Sequence, residues 1–156
     1  MTTVRETAQA GVSADTRAKP VPVPDEASAP FFAGALAGRL MLLRCRACGT
    51  FMSPTAYLRV PVRPRCVRCF SADIGWAPSS GRATLYSFAI MHQLYDPAFA
   101  AELPYNIAVV ETEEGVRLTS QVVDCPVAEL QIGMALAATF ERLSDQVAIP
   151  KFRRQA

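Results

Sequence analysis

The sequence predicts a mainly β protein in which a short helix and a metal-binding ribbon precede a small five-stranded barrel. Two observations lead to this fold class. Four cysteines form two C-x2-C pairs with 17 residues between them, and the second half of the chain carries short runs in which apolar and polar residues alternate. No long amphipathic helix lies among those runs, so we expect their strands to form one closed sheet.

The paired cysteines have the spacing of a tetrahedral zinc site. Each C-x2-C pair places two thiolates on one tight turn, here called a knuckle, and the chain between the pairs brings the two knuckles together. Two disulfides or a C-x2-C redox site are the alternatives. Because four thiolates leave no open coordination position, we expect one structural Zn²⁺ per chain and no catalysis at the metal. The predicted ligands are Cys45, Cys48, Cys66 and Cys69.

The residue that follows each pair differs between the two knuckles. Gly49 follows the first pair and tolerates a positive φ, which lets backbone amides turn toward the sulfurs. Phe70 follows the second pair, so we expect that turn to be closed in a different way.

The sequence carries no recognisable membrane or secretion signal. No segment approaches the roughly 20 apolar residues of a membrane span, and the N-terminus lacks the apolar core of a signal peptide. We therefore expect a cytoplasmic protein. Thiols stay reduced in that compartment, which favours a metal over disulfides.

Composition and turn signals divide the chain into three regions. We expect residues 1–27 to be a disordered tail, since they offer no periodic apolar face to bury. Residues 28–78 should hold the helix and the zinc ribbon, and residues 79–156 the barrel. The helix is expected to begin after Ser28, which can serve as N-cap, and to end at Gly38.

Five alternating runs supply the strands of the barrel. In the first run, Tyr86 and Phe88 are expected on one face and Leu85 on the other. Glu114-Gly115 is a tight-turn signal, so the third run should pair back on the second as a hairpin. Five short strands without a long helix are typical of a closed OB-type barrel. The runs cover residues 82–92, 104–113, 116–123, 135–142 and 147–152, after ribbon strands at residues 40–44 and 71–76.

Several separated blocks of the sequence resemble a known family. A helix reading FFAGALAGRL precedes the first knuckle, CRACG, and the barrel carries SGRATLYSF, LPYNIAVVETEEGVRLTSQVV, IGM and IPKF. In this order the blocks resemble the DUF35 family of acyl-CoA-associated proteins, which combine a rubredoxin-like zinc ribbon with an OB-fold, over about residues 30–153. Three positions depart from the family pattern: Phe32 stands where Trp is frequent, Gln121 where Asn is common, and the second knuckle lacks the frequent Gly.

The resemblance implies an accessory subunit and not an enzyme. Members of the family occur with thiolase-like, lipid-transfer-protein-like (retro-aldolase) or hydratase-type enzymes that act on acyl-CoA thioesters. The small protein would stabilise such a partner, join two enzymes or help to hold the CoA part of the substrate. A free-standing CoA- or acyl-CoA-binding protein is the alternative. A zinc-ribbon/OB nucleic-acid binder is a weaker one, because the chain has only two lysines.

An arginine-rich segment accompanies the cysteines. It contains six arginines and no carboxylate, and a zinc–tetrathiolate centre, formally −2, offsets part of this charge. A guanidinium binds phosphate oxygens in a bidentate manner, so Arg63 and Arg65 are candidates for contacting CoA phosphates or an acidic partner surface. A solvated basic face is the alternative. The arginines are Arg44, Arg46, Arg59, Arg63, Arg65 and Arg68.

The remaining candidate ligand or partner residues lie on the helix and around the barrel. Phe31 and Phe32 could present apolar side chains to a partner or an acyl chain, or simply cover the open end of the barrel. The polar groups expected near the concave face of the barrel, or on its rim, are His92, Tyr105, Asn106 and Gln121.

No catalytic arrangement is evident around the single histidine. Tyr95 and Asp96 lie close to His92 in the sequence and offer a proton-transfer site as one alternative, but a locally hydrogen-bonded histidine is the simpler interpretation. Cys125 follows Asp124, whose charge would oppose the lowered pKa that a nucleophilic thiol needs. We therefore expect Cys125 to be structural and the chain to lack an activity of its own.

Overall fold

The computed structural model describes residues 19–55 and 64–155 of the chain. Within these ranges nine strands form two sheets, and the α-helix has eight residues, so the prediction of a mainly β protein is confirmed. None of the helices there is long and apolar enough to cross a membrane. The elements are α1 (Ala29–Leu36), β1 (Met41–Cys45), β2 (Phe51–Met52), β3 (Ile74–Pro78), β4 (Arg82–Met91), β5 (Tyr105–Thr112), β6 (Arg117–Ser120), β7 (Val122–Val123), β8 (Ala135–Arg142) and β9 (Ala148–Arg154), with 3-10 turns at Pro97–Glu102 and Val127–Glu129.

The α1 helix begins after Ser28 and is terminated by Gly38, as the sequence predicts. At its C-terminus the amide of Arg39 donates to the carbonyl of Gly34 at 2.8 Å and Gly38 has a φ of 70°, a Schellman arrangement that favours glycine. At its N-terminus Ser28 occupies the N-cap position, and its hydroxyl makes no capping bond. Ser28 instead donates to the Asp25 carboxylate, from its amide at 2.7 Å and from its hydroxyl at 2.5 Å, because an ionised carboxylate is a strong acceptor.

The ribbon is a three-stranded antiparallel sheet in the order β2-β1-β3. Its central strand, β1, contributes to two cores. Leu42 belongs to the barrel core, whereas Leu43 and Cys45 belong to a small ribbon core with Met52 and Cys66. The return strand, β3, starts somewhat later than predicted and pairs with β1 along its whole length. Strand β1 therefore ties the ribbon to the barrel.

The second sheet has six strands in the order β6-β5-β4-β8-β9-β7. Its two edge strands, β6 and β7, are consecutive in the chain and are separated by Gln121 alone. Strand β7 pairs in parallel with β9, and the Phe152 amide donates to the Gln121 carbonyl at 2.9 Å. One run of the chain therefore supplies both edges and closes the sheet. The predicted five-stranded OB-type barrel is present, with its third strand broken at Gln121.

Strand β4 contains a β-bulge that the alternation in its sequence does not reveal. The register with β5 shifts between Leu85 and Ser87, so the inward-facing positions change parity there. Leu85 is buried before the bulge, and Phe88 packs against the same core after it. Tyr86 is turned outward, where the guanidinium carbon of Arg117 lies 3.6 Å from its ring centroid. The predicted sharing of one face by Tyr86 and Phe88 is wrong for this reason.

The barrel core is one cluster of twelve buried residues. It includes Leu136 and Phe152, which have no exposed surface, and Leu42 from the ribbon sheet. The buried side chain of Asn106 donates to the Val122 carbonyl at 2.7 Å and accepts from the Val122 amide at 2.8 Å. Because these bonds join β5 to β7, Asn106 helps to hold the barrel closed.

The short linker between β3 and β4 is held by hydrogen bonds from both sheets. The Ser79 amide donates to the Leu40 carbonyl at 2.8 Å, and the Glu114 carboxylate accepts from the Ser79 hydroxyl at 2.8 Å and from the Ser80 amide at 2.6 Å. Glu114 lies in the hairpin turn between β5 and β6, where Gly115 has a φ of 77°, as the turn signal predicts. The boundary between ribbon and barrel at residues 78 and 79 stays a prediction.

The N-terminal segment reaches the barrel. Residues 1–18 of the predicted tail lie outside the described residues, and residues 19–27 contain no strand and no helix. Lys19 forms ion pairs with Glu102 and, at 3.7 Å, with Glu141. That the tail is disordered stays a prediction.

Candidate metal centre, arginine face and cavity

The four predicted ligands lie together at one end of the ribbon. Their Sγ atoms all lie within 4.8 Å of one another, with 3.6 Å between Cys45 and Cys69 and 3.5 Å between Cys48 and Cys66. Metal–sulfur bonds of about 2.3 Å in a tetrahedron place the sulfurs about 3.8 Å apart. Cys45 and Cys66 are buried, whereas Cys48 and Cys69 are exposed. The cluster can therefore hold one metal ion with four sulfur ligands.

The two knuckles have the same hydrogen-bonded turn. The Gly49 amide donates to the Cys45 carbonyl and the Phe70 amide to the Cys66 carbonyl, both at 2.9 Å. Gly49 has a φ of 78°, and Phe70 has a φ of 58° although it carries a side chain. The expectation that the second turn closes differently is wrong. The shared turn places both residues in the left-handed conformation, at a cost of about 1–2 kcal/mol for a residue other than glycine.

Hydrogen bonds around the sulfurs favour ionisation unequally. The Thr50 hydroxyl lies 3.1 Å from the Cys48 sulfur, and with the Thr50 amide it lowers the pKa of the Cys48 thiol to about 6. The Ser71 amide acts to lower the pKa of Cys69, but the neighbouring sulfurs of Cys48 and Cys45, together with burial, raise it to about 12. Four thiols so close together cannot all ionise at neutral pH without a cation, so metal binding there releases protons.

Two arginines of the arginine-rich face have partners within the ribbon. Arg46 approaches Asp73 at 3.4 Å and lies over Gly75, where a Cβ atom would meet its guanidinium at 2.8 Å. The Arg65 guanidinium donates to the Phe70 carbonyl at 3.2 Å, which links it to the second knuckle. Two guanidinium groups of this face are therefore already engaged by groups of the ribbon.

The other positions of this face differ in what they contact. The Arg44 guanidinium carbon lies 5.2 Å from the ring centroid of Phe51. Within the described ranges, Arg44, Arg65 and Arg68 form no ion pair with a carboxylate. The candidate site residue Arg63 lies outside the described residues, as does Arg59. Arg65 is thus the described member of the predicted Arg63–Arg65 pair.

The structure separates the polar residues predicted around the concave face. Asn106 is buried, and its amide is engaged in the bonds that close the barrel. Tyr105 is half-buried, with its ring centroid 6.3 Å from that of Phe99. His92 is exposed directly after β4. Gln121 lies at the break between β6 and β7 and lines a cavity.

The residues considered for chemistry have structural contacts. Asp96 accepts from the Ala98 amide at 3.0 Å and begins a 3-10 turn, while Tyr95 is exposed. Cys125 packs against the barrel core, and its sulfur lies 3.7 Å from the Pro126 carbonyl. No hydrogen bond or ion pair joins a nucleophile to a base at these positions.

The two phenylalanines of α1 have different surroundings. Phe32 is buried and Phe31 is half-buried, with their ring centroids 5.4 Å apart in an edge-on arrangement. Phe31 also lies 6.2 Å from the ring of Trp76 in β3 and packs against the barrel core. The helix therefore covers the junction of ribbon and barrel, and Phe31 is the one of the pair that a ligand can reach.

A cavity of about 370 Å³ lies where the helix, the ribbon and the barrel meet. Its lining comes from the N-terminal segment, α1, the residues after β2, the 3-10 turn at Pro97–Glu102, β6, β8 and β9. Phe31 and Gln121 are the sequence-predicted site residues within it. Sequence analysis missed the cavity because its lining residues are scattered over these elements and follow no periodicity.

The barrel matches the model of a known domain family. Residues 76–141, which run from the end of the ribbon sheet into β8, match the family described as ChsH2, C-terminal OB-fold domain.

Curated relatives match the chain over different shares of their own length. The DUF35 domain-containing scaffold protein of Methanocaldococcus jannaschii is 33% identical over 106 residues, which is 68% of this chain and 70% of that protein. The probable enoyl-CoA hydratase alpha subunit of Thermomonospora curvata is 33% identical over 135 residues, 86% of this chain and 40% of that protein. The 3-oxo-4,17-pregnadiene-20-carboxyl-CoA hydratase alpha subunit of Mycobacterium tuberculosis is 37% identical over 83 residues, 53% of this chain and 26% of that protein. The chain thus spans less than half the length of these two hydratase subunits.

Two solved structures have a similar fold. One is described as Ltp2-ChsH2(DUF35) aldolase and matches with a TM-score of 0.70 and 31% identity, over 86% of this chain and 98% of the other. The second, a protein of unknown function from the DUF35 family of Sulfolobus solfataricus, has a TM-score of 0.51 at 17% identity, over 83% of this chain and 86% of the other, and shows the fold alone. Because a curated DUF35 relative is 33% identical and is covered over 70% of its length, this chain belongs to the DUF35 family.

Proposed function

We propose that this chain is a non-catalytic accessory subunit of an acyl-CoA-processing enzyme. The observation that carries the proposal is the likeness, at 31% identity and over 98% of the matched chain, to a protein described as an aldolase together with DUF35. Two relatives described as CoA-related hydratase alpha subunits support the same class of partner. The partner would be a thiolase-like, lipid-transfer-protein-like or hydratase enzyme that this chain stabilises and for which it helps to hold the CoA substrate.

Zinc is the metal that best fits the cysteine cluster. Four thiolates in a tetrahedron favour zinc among the common divalent ions. Protein ligands would occupy all four positions, so the ion would stabilise the ribbon and would not bind substrate. The ligands would be Cys45, Cys48, Cys66 and Cys69, whose sulfurs lie within 4.8 Å of one another.

The chemistry would belong to the partner. His92 is exposed at a strand end, and the half-buried thiol of Cys125 packs against the barrel core without a base beside it in the described structure. An acyl-transfer or aldol site needs a nucleophile and a base that are held together. The description of two archaeal relatives as scaffold proteins supports a structural role.

The second knuckle is the strongest candidate for the contact with the partner. Val67 and Phe70 are 76% and 73% exposed at its tip, and Phe70 keeps a costly left-handed conformation. Arg65 and Arg68 flank these apolar side chains. A complementary surface would offer an apolar depression beside carboxylates or CoA phosphates. In this proposal Arg63 acts together with Arg65.

Free-standing binding of CoA or acyl-CoA is the second candidate function. It is favoured by the cavity of about 370 Å³, which is within the range of roughly 300–1,000 Å³ that small-molecule sites occupy. In that case the isolated chain would bind the thioester without an enzyme partner.

Co-expression with an acyl-CoA enzyme encoded beside it tests the proposed function. The tagged wild-type chain should co-purify with the enzyme in a fixed ratio, and the isolated chain should not turn over acyl-CoA. Charge reversal by Arg63→Glu and Arg65→Glu should prevent co-purification or raise the partner's KM for CoA substrates. The effect should be stronger at low salt, since exposed charges are screened at high salt.

A matched control changes the same charge elsewhere. Arg39→Glu with Arg153→Glu replaces two exposed arginines outside the ribbon face and should leave assembly unchanged. Zinc content should stay at one per chain in both double variants, because none of these side chains is a ligand. Wild-type assembly of the Arg63→Glu, Arg65→Glu variant would refute the arginine contact. Turnover by the pure chain that His92→Ala or Cys125→Ala abolishes would refute the accessory role.

A further inference from the structure

The cavity at the junction of helix, ribbon and barrel has a composition that points to one part of the ligand. We propose that it binds the uncharged apolar acyl chain of an acyl-CoA, and that the nucleotide end of CoA stays outside it. The inference rests on the proposed function, since that function supplies the acyl-CoA. It adds a binding site and assigns to it one chemical portion of the ligand.

The walls of the cavity are largely apolar and come from separate elements. Phe31 lies on α1, Phe99 in the 3-10 turn, Leu118 on β6, Leu143 after β8 and Ile149 on β9. Because these elements are far apart in the sequence, folding brings their side chains around a space that none of them fills. Apolar surface predominates in the lining, which favours an apolar ligand, while polar side chains such as Ser120 and Gln121 lie at part of it.

The charged residues that line the cavity neutralise one another. Lys19 pairs with Glu102 and Glu141, and Lys151 pairs with Glu141 at 2.5 Å. Among the described lining residues, two cations and two anions leave no net charge. The side chain of Lys151 is only 15% exposed and its ammonium group is paired with Glu141, so little of it is left for another anion.

This neutrality decides between the two ends of an acyl-CoA. A phosphate at the cavity would have to break an ion pair and would meet the carboxylates of Glu102 or Glu141, which costs free energy. An uncharged acyl chain would leave the ion pairs intact, and burial of its methylene groups would favour binding. None of the ribbon arginines that the structure describes, whose guanidinium groups suit phosphates, lies in the lining.

The size of the cavity sets an expected dependence on chain length. At about 370 Å³ it lies at the small end of ligand sites, so it should accept an acyl chain of moderate length and not a long one. Each buried methylene group should raise affinity about fourfold, which corresponds to about 0.8 kcal/mol. The increase should stop once the chain exceeds the cavity.

Isothermal titration of the full, zinc-loaded chain with CoA and with acetyl-, butyryl-, octanoyl- and dodecanoyl-CoA tests the proposal. Affinity should be weakest for CoA, should rise steeply from butyryl- to octanoyl-CoA and should then level off. Equal affinity for CoA and octanoyl-CoA would overturn the proposal. Because this titration contains no partner enzyme, that result would leave co-purification with an enzyme, and with it the proposed function, untouched.

Two variants connect the chain-length effect to this cavity. Leu143→Trp fills it and should weaken octanoyl-CoA binding at least tenfold while leaving CoA binding unchanged. The control Ile132→Trp adds the same side chain at a position that is 70% exposed and outside the lining, and should change neither. Equal octanoyl-CoA affinity in both folded variants would refute the assignment.

A third variant keeps the test informative if Leu143→Trp does not fold. Phe99→Ala shortens a half-buried wall residue that lies outside the buried core, and should shift the preferred acyl chain to a longer one. An unchanged chain-length profile in folded Phe99→Ala would also refute the assignment.

Discussion

The ribbon and the barrel are stabilised by different means. The buried core of the ribbon has four residues, two of which, Cys45 and Cys66, are proposed metal ligands, whereas the barrel core has twelve buried residues. Four residues bury too little apolar surface to offset the conformational entropy of a folded sheet. We therefore expect the ribbon to depend on a metal ion held by its cysteines, whereas the barrel depends on packing.

The two parts are nevertheless connected through β1. Leu42 extends into the barrel core from the same strand whose Leu43 and Cys45 build the ribbon core. Loss of the metal should therefore unfold the knuckles and β2 first, while β1 stays packed against the barrel through Leu42. This difference leads to predictions that can be ordered by the size of the expected effect.

The largest effect is expected from removal of a metal ligand. Cys69→Ser should abolish stoichiometric zinc binding and unfold the knuckles, since structural zinc supplies roughly 10–16 kcal/mol in zinc-finger peptides. Elemental analysis measures the zinc, and the amide NMR spectrum reports which residues lose their structure. Cys125→Ser is the matched control, because Cys125 lies outside the cluster, and it should retain one zinc per chain. Full zinc retention by Cys69→Ser would contradict the proposed ligand set.

A core truncation should have the next largest effect, and it should act on the barrel. Leu136→Ala removes a fully buried side chain from β8 and should lower the free energy of unfolding by about 2–5 kcal/mol. Urea unfolding of the zinc-loaded protein measures this. Ile132→Ala, at a position that is 70% exposed, should change the free energy of unfolding by less than about 0.5 kcal/mol. Equal effects of the two variants would contradict the assignment of Leu136 to the core.

Exchanging glycine and non-glycine residues at the two knuckles should have smaller effects on stability, of opposite sign. Phe70→Gly relieves the left-handed conformation of a side-chain-bearing residue and should stabilise the zinc-loaded protein by about 1 kcal/mol. Gly49→Ala introduces the same conformational cost at the first knuckle and should destabilise it by a similar amount. A Cβ atom at Gly49 would lie 3.7 Å from Arg44, an ordinary contact, so steric overlap does not add to the cost. Opposite signs are expected in thermal unfolding, and equal signs would contradict the shared turn geometry.

Acid should weaken the connection between linker and barrel, with a small effect. Burial acts to raise the pKa of Glu114, but hydrogen bonds from the Ser80 amide and the Ser79 hydroxyl outweigh it and lower the pKa below its ordinary value of 4.5. A carboxyl group with a lowered pKa stabilises the fold above its unfolded pKa and loses this contribution as pH falls through the folded value. Glu114→Gln should therefore reduce stability at pH 7 and flatten its decline below pH 4.5. The exposed control Glu26→Gln should leave the decline unchanged.

Short sequence motifs correctly predicted the features that depend on a few neighbouring residues. The cysteine spacing predicted the sulfur cluster, Gly38 the end of α1, and Gly115 the hairpin turn. The alternating runs predicted where the barrel strands lie along the chain. In each case the deciding contacts lie between residues that are close in sequence or have a rigid chemical requirement.

The features that sequence analysis missed depend on distant contacts. The bulge at Tyr86 arises because β4 must pair with both β5 and β8, and one extra residue is needed to follow the closed sheet. Phe70 adopts the conformation of Gly49 against its local preference, since both knuckles form the same hydrogen-bonded turn. Asn106 was predicted near a ligand face, yet it bonds Val122 at the closure of the barrel. The cavity depends on the placement of several elements at once.

Hydrogen exchange of the full chain, with zinc bound and after chelation, tests the contrast between ribbon and barrel most directly. On chelation the amides of Gly49 and Phe70, which close the knuckles, should lose protection together with the Cys45 and Cys66 amides. Amides of β5, β8 and β9 should keep most of theirs, because the barrel core contains no metal ligand. Equal loss of protection throughout the chain, or no loss at the knuckles, would contradict a metal-dependent ribbon beside a self-sufficient barrel.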